Sequence, residues 1–180
     1  MLIQSTRIFT GRIISLDIDR VRFPDGSEGD LEMVRHPGAS AIVPFLSDPA
    51  GDDPQVLLIR QYRHAAEGYL FEVPAGRLDP GETPEQCARR ELREETGCIA
   101  ERMEHLMTTY TTPGFTDEKI HLYMAVGLTQ AGEAELEADE FVEPYTVTLS
   151  RALAMIQSGE IEDAKSALAL LYAAGFRAAR

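Results

Sequence analysis

Polar and hydrophobic positions alternate in part through roughly the first 35 residues. "RIFTGRIISLDIDRVRF" is rich in β-branched and aromatic residues, "PDGSEGD" carries turn formers, and "LEMVRH" resumes an extended pattern. The segment reads as a small antiparallel β region. A few strands of this length seldom stand alone, so they must pack on the rest of the chain or on a second subunit. From Ala39 the pattern changes to compact apolar runs, "ASAIVPFL" and "PQVLLIRQYR", suited to buried strands. "GYLFEVPAG" is a further extended stretch that ends in a Pro/Gly turn.

A helix is predicted from Pro84. Thr83 is a good N-cap, Pro84 suits the first helical position, Gln86 completes a capping box, and Gly97 is the stop. Beyond it, "HLMTTYTTPGFTDEKIHLYMAVGL" reads as strand, loop and strand, with the break at Pro113-Gly114. The acidic "GEAELEADEFVE" reads as a loop and "PYTVTL" as a last strand. Ser150 and Asp163 are the expected caps of two closing helices. Strands mixed with few helices indicate a layered α/β or α+β domain.

Composition narrows the function classes. The chain has 180 residues, 44% of them hydrophobic, a formal net charge of -13 and a pI near 4.7. That length suits one globular domain. The acidity speaks against a general nucleic-acid binder, because phosphate contacts need a basic surface. A small phosphorylated substrate remains possible if metal ions or a few placed arginines offset the repulsion. No apolar run approaches the about 18 residues that span a bilayer. The start lacks the basic-then-apolar order of a signal peptide, so a cytoplasmic location is the default expectation. Cys87 and Cys98, if on one helix, would stand about 16 Å apart. No disulfide is therefore expected between them. His36, His64, His105 and His121 show no metal-ligand spacing.

The stretch "GRLDPGETPEQCARRELREETGC" concentrates carboxylates in an already acidic chain. At helical spacing Glu91, Glu94 and Glu95 fall within one arc, where like charges repel. Arg89 and Arg93 project to the opposite side, and Arg90 lies where it could pair with Glu94. Either the trio is a solvated face, or it binds something positive; hard divalent ions favour carboxylate oxygens and bind substrate phosphates.

These residues carry a resemblance. The pattern from Gly76 through Glu82, Arg90, Glu91, Leu92, Glu94, Glu95 and Gly97 matches the Nudix hydrolase signature at every fixed position. Cys98 stands where an aliphatic residue is usual, a departure that a small thiol can fill. The resemblance implies an α/β/α sandwich with a mixed sheet, preceded by the small N-terminal β region. On that reading residues 1–38 are the N-terminal strands and 39–180 the hydrolase domain. It further implies that Glu91, Glu95 and Glu94 bind Mg²⁺, with Mn²⁺ as a possible substitute, and that the Ala75 carbonyl adds a ligand. Arg90 and Glu82 would orient the ligand carboxylates.

Outside the signature, "PGASAIVPF", "VLLIRQYRHAAEGYLFEVPAGRLDPGE" and "TPGFTDEKIHLYMA" look like the ADP-ribose pyrophosphatase branch, including Pro113 at 15 residues past Cys98. That branch implies N-terminal strands exchanged across a homodimer and a nucleotide-sugar substrate. The implied reaction is hydrolysis of ADP-ribose, or a related ADP-sugar, to AMP and ribose 5-phosphate. GDP-mannose hydrolysis and a non-catalytic ligand-sensing module are the alternatives. Arg35 and Arg63 are candidate substrate contacts, because a guanidinium forks onto phosphate or ribose oxygens. Glu72, just before the signature, is a candidate contact to substrate or metal, and Phe115 a candidate to line the base or ribose pocket. Alignment of the acidic loop favours Glu140 as the base that activates water, with Glu118 as its competitor.

Overall fold

The computed structural model describes residues 1–136 and 141–177. Its first three strands, β1 (Leu2–Thr10), β2 (Ser15–Arg22) and β3 (Glu28–Arg35), form an antiparallel sheet in the order β1-β2-β3. Every residue of β1 is exposed, whereas β2 buries Asp17 and Asp19. The expected N-terminal β region is thus present as a separate sheet.

The core is built from β4 (Ala39–Pro44), β5 (Gln55–Arg63), β6 (Gly68–Glu72), β7 (Ala75–Arg77), β8 (Cys98–Tyr110), β9 (Lys119–Gln130) and β10 (Val142–Thr148). Three helices complete it: α1 (Pro84–Thr96), α2 (Leu149–Ser158) and α3 (Ala164–Arg177). One sheet has the order β7-β4-β9-β8 and is mixed, because β4 and β9 run parallel. The second is antiparallel in the order β10-β5-β6.

β4 shows why two helical layers are needed. Successive strand side chains point to opposite faces, and here both faces are apolar. Ala41 and Val43 join the cluster that contains Leu122, Met155 and Leu170. Ile42 joins Ala88, Leu92 and Tyr123 beneath α1. Helices therefore cover both sides, as the α/β/α expectation required.

Two local expectations change. α2 is capped by Thr148, whose side chain accepts from Arg151 N, and not by Ser150. β10 carries the extended backbone through Thr148, so Ser150 is already helical; its hydroxyl donates to Asp53 Oδ2 at 2.7 Å. Asp163 does cap α3, with Oδ2 accepting from Ser166 N at 2.9 Å. Cys98 begins β8 instead of sharing the helix of Cys87; both thiols are free and buried. Among the described residues, no helix is long and apolar enough to cross a membrane.

Candidate active site

α1 delivers the acidic trio. Its N-terminus is fixed by a reciprocal box, with Gln86 N donating to Thr83 Oγ1 at 3.3 Å and Thr83 N to Gln86 Oε1 at 2.9 Å. Its C-terminus closes on Gly97 at φ 71°, a left-handed conformation that suits glycine. Between these ends Ala88 and Leu92 are fully buried under the mixed sheet. That packing fixes the rotation of the helix. It carries Glu91 and Glu95, on the same side, into the protein at 7% and 1% exposure.

Burying two carboxylates costs free energy unless charge or hydrogen bonds compensate. Glu95 Oε2 accepts from Ala75 N at 2.9 Å. Glu91 Oε1 and Glu94 Oε2 both accept from Arg90 Nη1, at 2.6 and 3.0 Å. The same guanidinium grips Glu82 through Nε and Nη2, each at 2.9 Å, and Nη2 also donates to Arg77 O at 3.0 Å. Arg90 lowers the pKa of Glu82 below its ordinary value, and Glu82 raises that of Arg90. Arg90 and Glu82 therefore sit together, and Arg90 bonds two of the trio, Glu91 and Glu94, while Glu95 is held by Ala75 N.

Gly76 shows how closely the strand approaches this group. A Cβ there would lie 1.9 Å from Glu91 Oε1, so any side chain would displace the carboxylate. Ala75, Gly76, Glu91 and Glu94 line a cleft of about 450 Å³ together with Arg63, Arg90, Glu118 and Lys165.

The donor set is one that a hard divalent cation takes: carboxylate oxygens on one helix face beside a strand too close for a side chain. Among the described residues no three acidic, His or Cys side chains converge as a preformed cage. The geometry gives the reason, since Arg90 Nη1 supplies the positive charge to Glu91 and Glu94 and Ala75 N takes Glu95. Glu91, Glu94 and Glu95 would be the oxygen donors to such an ion, and Arg90 now bonds the first two of them. On these observations the residues fit a site for a hard divalent cation.

The other candidates are placed as follows. Arg63 lines the cleft, but Nε and Nη2 fork onto Glu72 at 2.7 and 2.8 Å. Glu72 is 1% exposed and also accepts from Lys165. Burial opposes its ionisation, yet Arg63 and Lys165 outweigh it and hold the carboxyl below its ordinary pKa. Glu72 is thus a buried counter-ion for two cations, and its expected contact with substrate or metal is indirect in this arrangement. Arg35 is engaged by Asp17, Asp19 and Asp117 and is not among the residues that line the cleft. Phe115 is half-exposed in an adjoining pocket with Ile14, Thr111 and Glu118. Glu140 lies outside the described residues, whereas Glu118 lines the cleft itself.

Lys165 is the functional candidate that sequence reasoning misses. It follows a helix cap and carries no motif; only the packing of α3 brings it 93 positions back along the chain to Glu72. Arg12 and Ile13, from the turn between β1 and β2, also reach the cleft.

Comparison with known proteins agrees with this geometry. The NUDIX domain family matches residues 36–169. The methanol dehydrogenase activator of Bacillus methanolicus is 42% identical over 171 residues, 94% of this chain and 90% of that protein. The ADP-ribose pyrophosphatase of Bacillus subtilis is 40% identical over the same number of residues, again 94% of this chain and 90% of that one. In fold, a crystal structure of an ADP compounds hydrolase superposes with a TM-score of 0.81 at 22% identity, covering 99% of this chain and 94% of that chain. A carboxylate trio on a capped helix, with Glu91 and Glu95 buried, the glycine strand against it and the matching region together place the chain in the NUDIX domain family.

Proposed function

We propose that this protein hydrolyses the pyrophosphate bond of ADP-ribose, with Mg²⁺, to AMP and ribose 5-phosphate, or that of a related ADP-sugar to AMP and the corresponding sugar phosphate. The observation that carries the reading is the cleft in which Glu91 and Glu94 share one guanidinium nitrogen beside the cations Arg63 and Lys165. The likeness to the Bacillus subtilis ADP-ribose pyrophosphatase supports the choice of substrate.

Mg²⁺, or Mn²⁺ in its place, would be held by Glu91, Glu94, Glu95 and the Ala75 carbonyl. When bound, the ion neutralises phosphate charge and lowers the pKa of a water. The remaining work falls to the chain. Arg90 and Glu82 orient the ligand carboxylates through charge-assisted bonds. Arg63 and Lys165 present positive charge to the phosphates from the wall of the cleft, and Glu72 keeps both in place. A water oxygen attacks one phosphorus, the anhydride P–O bond breaks, and a carboxylate takes the water's proton. Glu140 is the proposed base, and Glu118 in the cleft wall is the alternative.

The N-terminal strands, residues 1–38, are proposed to exchange across a homodimer. Support comes from β1, which is exposed throughout and presents Ile3, Ile8 and Phe9 to solvent at 46%, 57% and 57%. Burial of such a surface against a second copy would be favourable. Two thiols that form no bridge fit a cytoplasmic location.

The deciding experiment measures kcat/KM with Mg²⁺ on ADP-ribose, ADP-glucose, GDP-mannose, NADH and diadenosine polyphosphates. ADP-ribose should rank first. Highest activity on a diadenosine polyphosphate, or none on the panel, would overturn the proposal. A fully active monomer by light scattering would remove the exchanged dimer.

A further inference from the structure

The N-terminal sheet and the cleft meet at the end of β3, where the segment from Thr111 to Glu118 runs alongside. Val34 N donates to Phe115 O at 2.8 Å, Asp117 N donates to Val34 O at 3.3 Å, and Val34 and Thr116 form a parallel bridge. The Asp117 carboxylate ties the two pieces together. Oδ1 accepts from His36 N at 3.0 Å and Oδ2 from Arg35 Nη1 at 3.3 Å.

Arg35 is a rigid post for this tie. Its Nε donates to Asp17 at 3.0 Å and its Nη2 donates to Asp19. Both carboxylates are buried in β2, and Asp17 is shared with Arg7. Asp117, with its side chain 41% exposed, is the compliant partner. One residue further, Glu118 Oε2 accepts from Thr111 Oγ1 at 2.8 Å, and Oε1 stands 3.4 Å from His36 Nδ1. His36 and Glu118 line the same cleft as Glu91 and Glu94.

We propose that Arg35 and Asp117 form a positioning pair. They set Glu118 and His36 in the cleft wall, so the N-terminal sheet controls substrate affinity from outside the site. The inference rests on the hydrolase reading of that cleft. It assigns Arg35 a place in function different from direct contact with substrate. Arg35 itself is a poor probe, because its loss would strand two buried carboxylates. Asp117→Asn is the better one. It keeps one acceptor oxygen for His36 N and removes the charge and the second oxygen that Arg35 holds.

The test combines amide hydrogen exchange over residues 113–118 with steady-state kinetics on ADP-ribose. In Asp117→Asn, exchange should speed up, and KM should rise about three- to tenfold while kcat stays within about twofold. Thr111→Val, which frees Glu118 from the same segment, should raise KM in the same way. Asp30→Asn breaks the pair with Arg20 in the same sheet, at 3.2 Å, and should change neither readout. Unchanged exchange in Asp117→Asn, or a fall in kcat at constant KM, would overturn the proposal. If Asp117→Asn does not fold, Arg35→Lys, which keeps a cation beside Asp17 and Asp19 and loses the fork that reaches Asp117, decides by the same kinetic criterion. Wild-type protein inert on every nucleotide sugar would remove the hydrolase reading alone. The exchange arm, with AMP affinity measured by calorimetry in place of KM, would still judge the coupling.

Discussion

Replacing Arg90 by Met tests the electrostatic core of the site. The guanidinium bonds to Glu82 twice at 2.9 Å, to Glu91 at 2.6 Å and to Glu94 at 3.0 Å. Glu94, with its side chain 36% exposed, is partly solvated, so that arm is worth only about 0.3–0.5 kcal/mol. Glu91 and Glu82 are 9% and 14% exposed at the side chain and would be left facing each other and Glu94 without their cation. Removing one partner of a buried pair costs about 3–5 kcal/mol. For a domain of this size that is a fall in Tm of about 6–20 °C. If the trio is a cation site, millimolar Mg²⁺ should restore much of the loss, because the ion now meets no internal competitor for Glu91 and Glu94. The Mg²⁺-induced rise in Tm should thus be larger in Arg90→Met than in wild type, while kcat/KM falls because the ligands lose their orientation. Differential scanning fluorimetry with and without Mg²⁺ reads the Tm changes, and steady-state kinetics on ADP-ribose reads kcat/KM. A metal-free loss below about 1 kcal/mol, or a Mg²⁺ response no larger than that of wild type, would refute the reasoning.

Three further outcomes are expected. Gly76→Ala forces a Cβ to 1.9 Å from Glu91 Oε1, so Glu91 must move; kcat/KM should drop by at least about 10²-fold with a stability cost of about 1–3 kcal/mol. A near wild-type kcat/KM would show that Glu91 is dispensable in its present place. Glu72 has a folded pKa below the ordinary 4.5, so its contribution is complete above that value and is lost as pH falls through the folded one. Urea midpoints of wild type should therefore drop more steeply between about pH 5 and pH 3 than those of Glu72→Gln, and parallel curves would contradict the assignment. Burial, reinforced by Glu91, pushes the Cys87 thiol up to about 12, so it should resist iodoacetamide at neutral pH until the protein unfolds. Stoichiometric labelling of folded protein at Cys87 would count against that environment.

Local chemistry along the chain determined much of this protein. Thr83, Gln86 and Gly97 act on backbone groups within a few residues, so the limits of α1 are legible before any packing is known. The shared face of Glu91, Glu94 and Glu95 follows from helical rotation alone, and the burial of "ASAIVPF" from its composition. Even the cap of α2 falls two residues from its expected place, because extension of β10 through Thr148 depends on pairing with β5.

Tertiary structure decided which charges meet. Arg90 turns to Glu82 as well as to its helical neighbour Glu94, because the turn after β7 folds back over α1. Arg63 and Lys165 share one buried carboxylate only because β5, β6 and α3 converge on Glu72. Arg35, a plausible phosphate fork by residue type, is spent on Asp17, Asp19 and Asp117, the last of them 82 positions away. An ion pair between distant segments depends on strand register and helix docking. Those are set by the apolar core as a whole, which no window of the sequence contains.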